Sequence, residues 1–469
     1  MVPGQTDPPA YEPPDNERAA SASPTEPQLE AELHVAGRGG HDPYLALRNR
    51  NYGVFAMAFL MSVIGGQMQT VAVGWEIYSR TGSALSLGWV GLALALPVFL
   101  LALPAGHVAD THSRRRIMMG THVVSVLCAL GLAWLSFNWP HSRHSLYVMY
   151  ALLFVGNAGA TFGRPARSAY MPQIVPIGAF ANAVTWNSSI FEMASVVGPA
   201  LGGLACSKSV TLTYLLVAAC WAGTIVLIWQ LPNRPAPRRG APATMSDLAA
   251  GVRYVWRSKL MLGTMTLDLF AVLLGGVTFL LPIFALKLGA GASGYGWLRA
   301  APSIGAICTA ILIAHSRPLR RAGRTLLLCV AGFGLATIVF GLSQNYWLSF
   351  AMLVVTGAFD NVSVVVRHTL VQLLTPDAMR GRVSAVNQIF IGSSNELGGL
   401  ESGLTAAAFG EVWSVVGGGI GTILVVLGVS AIWPEIRKLG SLHDVRAEEF
   451  EPSPAPRGFE VVPVPTPRR

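Results

Sequence analysis

The chain has 469 residues, 52% of them hydrophobic and 12% charged, with 50 Gly and a formal charge of +9. Soluble domains carry roughly a quarter charged residues, so an ordinary soluble globule is excluded, and with it the solvated basic face that nucleic-acid binding requires. Setting the tails aside leaves 25 bases and ten acids in residues 44–434, and the bases punctuate apolar runs instead of forming a patch.

Residues 1–43 are rich in Pro, Glu, Ala and Ser, with no apolar core and no basic lead-in. They read as a disordered cytoplasmic tail and not as a signal peptide. Six apolar runs follow at about 53–78, 86–108, 117–138, 146–163, 182–206 and 211–231. A polar, Pro-rich stretch at 232–259 reads as a cytoplasmic linker, and six further runs occupy about 260–286, 294–315, 325–343, 347–366, 384–409 and 413–433. A span needs about 20 apolar residues, and it must be helical because lipid offers the backbone no hydrogen-bond partners. The expectation is an all-α membrane protein of twelve transmembrane helices in two six-helix halves, 44–231 and 260–434, with a second disordered tail at 435–469. Cys128, Cys206, Cys220, Cys308 and Cys329 lie in apolar runs without paired spacing. No metal site, cofactor or disulfide framework is therefore expected.

Lys and Arg flanking the spans set the orientation. With the N-terminus inside, twenty core bases fall on the cytoplasmic side and five on the other, namely Arg80, Arg143, Lys208, Lys287 and Arg299. Both termini come out cytoplasmic. The halves also repeat, since an offset of 200 pairs Arg167 with Arg367, Pro176 with Pro376, Asn187 with Asn387, Gly198 with Gly398 and Gly203 with Gly403. Such duplications place a substrate site at the repeat interface near the bilayer midplane.

Two motifs carry chemistry. Between the second and third runs lies Gly106-His-Val-Ala-Asp110-Thr-His-Ser-Arg114-Arg115-Arg116. An acid at one helix end beside a basic cluster at the next can lock two helices, and an acid that pairs in one conformation alone is a latch. In the fifth run, Gly198-Pro199-Ala-Leu-Gly202-Gly203 puts three Gly and a Pro within two turns, which permits close backbone approach and bends the helix. The first motif resembles the signature loop of the major facilitator superfamily, with Thr111 and Ser113 where that loop carries Arg and Gly. The second resembles the fifth-helix motif associated with antiporters of that superfamily. Four more stretches are similar to its enterobactin-exporter-like branch, the transmembrane secretion effectors: Gln67 to Glu76, Arg164-Pro165-Ala-Arg167, Asp360 to Arg367, and Thr375 to Asn387. The resemblance covers about residues 44–434. It implies the pseudo-symmetric twelve-helix fold, a cavity lined by spans one, four, seven and ten, and proton-energised efflux across a bacterial inner membrane.

Six of the ten core acids lie in or near spans: Glu76, Glu192, Asp268, Asp360, Glu396 and Glu401. An ionised acid at a helix centre costs about 2.5–3.5 kcal/mol on insertion scales, so each is a functional candidate unless paired. Glu192 and Glu396 fall near the midplane of pseudo-equivalent spans and lead the proton-coupling candidates, followed by Asp268 and Glu401. Asp360 stands two turns before Arg367 on one helical face and reads as a charge pair or gate. Glu76 is expected to pair with Arg80 at the surface. Gln67, Gln69, Asn157 and Asn361 are the substrate-path candidates. The sequence holds no Gly-rich phosphate loop ending in Lys-Ser or Lys-Thr, no His-Glu-x-x-His and no nucleophile elbow, so neither a nucleotide-driven pump nor an enzyme is indicated. These observations favour a monomeric, proton-driven exporter of a siderophore or drug-like small molecule, working in the lipid bilayer by alternating access. An uptake symporter of the same fold is opposed by the Gly-Pro motif, and a transport-inactive sensor or scaffold by the retained acids.

Overall fold

The computed structural model describes residues 42–139, 143–234, 245–316, 321–376 and 379–440. The remaining tail residues and Asp377 lie outside the described residues. The first half holds α1 (Arg50–Thr81), α2 (Ala84–Thr111), α3 (Arg114–Asn138), α4 (Arg143–Ile174), α5 (Phe180–Lys208) and α6 (Val210–Trp229). A linker helix α7 (Met245–Arg257) precedes α8 (Lys259–Leu274), α9 (Leu281–Lys287), α10 (Gly291–Ala314), α11 (Ala322–Leu342), α12 (Tyr346–Leu374), α13 (Arg380–Phe409), α14 (Glu411–Ile432) and the short α15 (Pro434–Lys438).

Local chemistry sets the helix ends. The Asn49 side chain accepts from the Asn51 and Tyr52 amides to open α1, and Gly82, at φ 58°, closes it. Left-handed backbone of this kind suits Gly, which has no Cβ to clash. Ser209 caps α6 and Asn345 caps α12 in the same way as Asn49. Among the described residues, eleven helical segments are long and apolar enough to cross a membrane. The twelfth, α13, has 30 residues, about 45 Å of helix, but it carries Arg380, Arg382, Glu396 and Glu401. It packs against α2, α8 and α14.

Packing within each half follows one plan. In the first half α1 lies against α5 and α6, α3 against α4 and α6, and α2 against α4. In the second, α8 lies against α13 and α14, α11 against α12 and α14, and α10 against α12. The halves meet along two equivalent seams, α2 with α13 and α5 with α10. Each seam is a Gly-to-Gly crossing. A Cβ on Gly203 would stand 2.8 Å from Gly296 Cα, and one on Gly403 would stand 2.5 Å from Gly88 Cα. Both crossings lie toward the end of the bundle opposite the termini, called here the far end. The offset of 200 that pairs Gly203 with Gly403 thus corresponds to a shared role at the two seams.

The structure corrects the sequence reading at the seventh run and in the C-terminal tail, and it adds a helix to the linker. The seventh run is two helices, because α8 stops at Gly275 and the chain passes through Gly276 and a 3-10 turn at Val277–Phe279 before Pro282 helps restart it. A broken helix is tolerated at membrane depth where protein groups satisfy its backbone, and here Ser402 Oγ donates to Gly276 O at 3.1 Å. The linker 232–259 contains α7, whose Gly251 packs on the Arg382 carbonyl of α13. Residues 435–440, expected in the tail, are folded: Ile436 is fully buried and the Ala322 amide donates to Gly440 O at 2.9 Å. At the other terminus, the Trp186 indole donates to Pro43 O at 2.8 Å, which pins the segment before α1 to α5.

Candidate functional site

Among the described residues, two polar features of the bundle interior border cavities. The first is a charge cluster in the second half. Arg367 on α12 forms an ion pair with Asp268 on α8, and its Nη2 lies 3.8 Å from Asp360 Oδ1. Its Nε donates to the Ser363 carbonyl one turn back at 3.3 Å. Arg367 and Asp268 are nearly buried, with side chains 10% and 12% exposed, whereas Asp360 is 48% exposed. Small cavities flank the cluster, one lined by Asp360, Ser363 and Phe333, the other by His368, Asn387 and Thr264. Glu192, on α5 of the first half, lies within electrostatic range of Asp360. Two carboxylates therefore flank one guanidinium, and Asp360 is also within electrostatic range of a carboxylate of the opposing half. The expected Asp360–Arg367 pair is present but loose, and the closer partner is Asp268. No spacing rule points to it, because the two residues sit on separate helices.

The second feature is a cavity of about 50 Å³ between the halves. Gln69 and Thr70 of α1, Leu94 of α2, Phe279 at the α8–α9 break, and Tyr295 and Arg299 of α10 line it. Tyr295 stacks on Trp75 with ring centroids 6.3 Å apart. Arg299, counted as a flanking base, stands two turns inside α10, and its Nη1 donates to Thr278 O at 3.3 Å. The available signal is an Arg set among small residues, since Gly294, Gly296, Ala300 and Ala301 surround it in the sequence.

Several of the other candidates have helix-packing partners. Gln67 Nε2 donates to Ser195 Oγ at 3.2 Å, joining α1 to α5. Asn157 donates to the Leu94 carbonyl and accepts from Arg164 at 3.4 Å. Asn361 Oδ1 is buried with no hydrogen-bond partner. Glu401 accepts from Ser402 Oγ at 3.4 Å beside the α8–α9 break. The side chain of Glu396 lies outside the described residues. Glu76 does pair with Arg80, but the pair is buried and not superficial: the side chains are 5% and 11% exposed, and Tyr214 Oη donates to Glu76 at 2.6 Å. The reason is that α6 supplies a third polar group that covers the pair.

In the loop motif, Arg115 donates to the carbonyls of Ile228 and Trp229 at the end of α6, and Arg114 donates to Ala169 O at 3.2 Å. Cations suit helix C-termini, where carbonyls are unpaired. Asp110 is exposed with no ion pair among the described residues, and Gly106 has open space around it. The α5 motif faces two ways. Cβ atoms on Gly198 and Gly202 would meet Gln67 and Met68 of α1, whereas Gly203 and the Pro199 carbonyl abut Gly296 of the other half.

Two pseudo-symmetric six-helix halves around a central cavity define a membrane transporter of the major facilitator class. Solved structures agree on the fold: the nucleoside transporter NupG has a TM-score of 0.65 at 15% identity, with 82% of this chain and 99% of that chain covered. A bacterial homolog of the human lysosomal transporter Spinster, inward-facing and occupied, has a TM-score of 0.64 at 16% identity, covering 88% and 100%. The family model of the transmembrane secretion effectors matches residues 41–455, and the chain belongs to that family. Its relatives include the enterobactin exporter EntS of Citrobacter koseri, 27% identical over 389 residues, spanning 81% of this chain and 91% of that protein. EntS of Escherichia coli O157:H7 is 26% identical over 386 residues, again spanning 81% and 91%. Fold and family are those of transporters and not of enzymes.

Proposed function

We propose that this transporter exports a small organic molecule from a bacterial cytoplasm across the inner membrane, that inward proton flow drives it, and that it works by alternating access. The EntS relatives are enterobactin exporters, which makes a siderophore the first cargo to try. The twenty-to-five bias of core bases supports cytoplasmic termini, and the far end then faces the periplasm.

The observation that carries proton coupling is Arg367 shared between Asp268 and Asp360, with Glu192 of the other half within electrostatic range of Asp360. One cation cannot compensate three carboxylates in a low-dielectric bundle, so a proton taken up by one of them relieves the repulsion. Asp268 is committed to Arg367. The half-exposed Asp360 and Glu192 are the groups left to exchange a proton, and because they belong to opposite halves, their mutual repulsion changes as the halves rock. Glu396, on the span pseudo-equivalent to that of Glu192, stays a candidate beside them, and Glu401 a more remote one. The tight Gly seams at the far end fit a state closed to the periplasm, and Asp110 would act as a latch at the opposite end in the alternate state. Substrate-path roles for Gln69, Gln67, Asn157 and Asn361 follow their places on α1, α4 and α12.

Proteoliposomes test this. Under an imposed pH gradient, Glu192→Gln and Asp360→Asn are expected to abolish uphill transport while leaving downhill exchange. Wild-type uphill rates in both variants would refute the coupling assignment.

A further inference from the structure

We propose that the cavity between the halves recognises an organic anion, whose carboxylate or equivalent oxyanion pairs with Arg299 while an adjacent hydroxyl or N–H donates to Gln69. This deepens the transporter reading and rests on it. Arg299 is a cation inside a membrane-spanning helix, and among the described residues no carboxylate pairs with it. Its hydrogen bond to Thr278 O leaves Nε buried without a protein partner. On α1, Gln69 Oε1 is likewise buried and unpartnered. The two residues line the same cavity from opposite halves.

Among the described residues, the other buried bases have compensating groups, Arg114 through the Ala169 carbonyl. Arg80 has Glu76, Arg367 has Asp268, and Arg167 lies 4.5 Å over the Phe59 ring. Arg299 differs in that its counter-charge has to arrive with a ligand. A guanidinium gives charge-assisted, directional bonds to a planar oxyanion, and Gln69 Oε1 can only accept. An oxyanion next to a donor is the complement of that pair. Leu94, Phe279 and Tyr295 supply an apolar wall for an aromatic or alkyl body. A ligand bridging Arg299 and Gln69 would also tie the halves together, which links occupancy to the rocking motion.

The test uses the purified full chain in nanodiscs with two probes of nearly equal shape, salicylate and its neutral isostere salicylamide. Binding is read by scintillation proximity. Salicylate is expected to bind at least tenfold more tightly than salicylamide. Arg299→Gln is expected to erase that preference, Arg299→Lys to keep most of it, and Gln69→Leu to weaken salicylate about three- to tenfold. Equal binding of the two probes by the wild type, or binding of neither, overturns the proposal and needs no variant to fold. So does an unchanged preference in Arg299→Gln. The same preparation separates this outcome from the export reading. If proteoliposomes concentrate ethidium against its gradient but show no salicylate preference, the anion site falls and export stands. If salicylate binds selectively and no tested cargo is moved uphill, the export reading falls and the site stands.

Discussion

Gly203→Ala puts the smallest possible wedge into one of the two seams between the halves. The added Cβ would lie 2.7 Å from Ala292 O and 2.8 Å from Gly296 Cα, both of them backbone atoms of α10. Ordinary carbon contacts begin near 3.4 Å, so α5 and α10 must separate by some 0.6 Å or the contact stays compressed. Overpacking of this kind costs about 1–3 kcal/mol. The cost falls on the state with the far end closed and is relieved when the seam parts, so the population ratio should move toward opening by about 5- to 150-fold. The assay is alkylation of Val73→Cys, on the cavity wall, by an impermeant maleimide in a chain whose native Cys are replaced by Ala. Access from the far side should rise at least fivefold in Gly203→Ala. Gly66→Ala, with nothing within 4 Å of the new Cβ, should leave it unchanged. Gly88→Ala on the equivalent seam meets Gly403 Cα at 3.1 Å and should act in the same direction, more weakly. Unchanged access in a folded, inserted Gly203→Ala would refute the idea that these crossings hold one state of a two-state machine.

Removing Asp268 strands the buried Arg367. Asp268→Asn should therefore destabilise the protein by about 3–5 kcal/mol, read as a fall in thermal midpoint in detergent, with partial recovery in the Asp268→Asn, Arg367→Gln double variant. Asp360→Asn, at a half-exposed and looser contact, should cost less than about 1 kcal/mol. Tyr214→Phe removes the donor to the buried Glu76 and should cost about 1.5–3 kcal/mol without altering which cargo is moved. Ser402→Ala frees the Gly276 carbonyl at the helix break, and the same melting measurement should show a loss of about 1 kcal/mol.

Much of the architecture is legible in the sequence because membrane helices announce themselves by length and all-round apolarity, and the repeat by residues such as Gly203 and Gly403 that recur at the seams. What escapes depends on neighbours distant in sequence. The Glu76–Arg80 pair follows from i,i+4 spacing, but its burial depends on Tyr214, 138 residues away. The Asp268–Arg367 pair joins helices separated by three others. The break after α8 is hidden because Gly275 and Gly276 are compatible with an apolar run, and hydropathy does not register a backbone turn. Arg299 counts as a flanking base as long as its run is taken to begin only a few residues earlier; the helix start at Gly291 is what puts it inside α10.

Inverted membrane vesicles, energised by respiration and supplied with a labelled siderophore or labelled salicylate, test the export account most directly. The account predicts that vesicles containing the wild-type chain accumulate at least one cargo, that nigericin collapses the accumulation, and that the Glu192→Gln, Asp360→Asn double variant shows none. Accumulation that survives nigericin, or that proceeds at the wild-type rate in the double variant, would contradict proton-driven export.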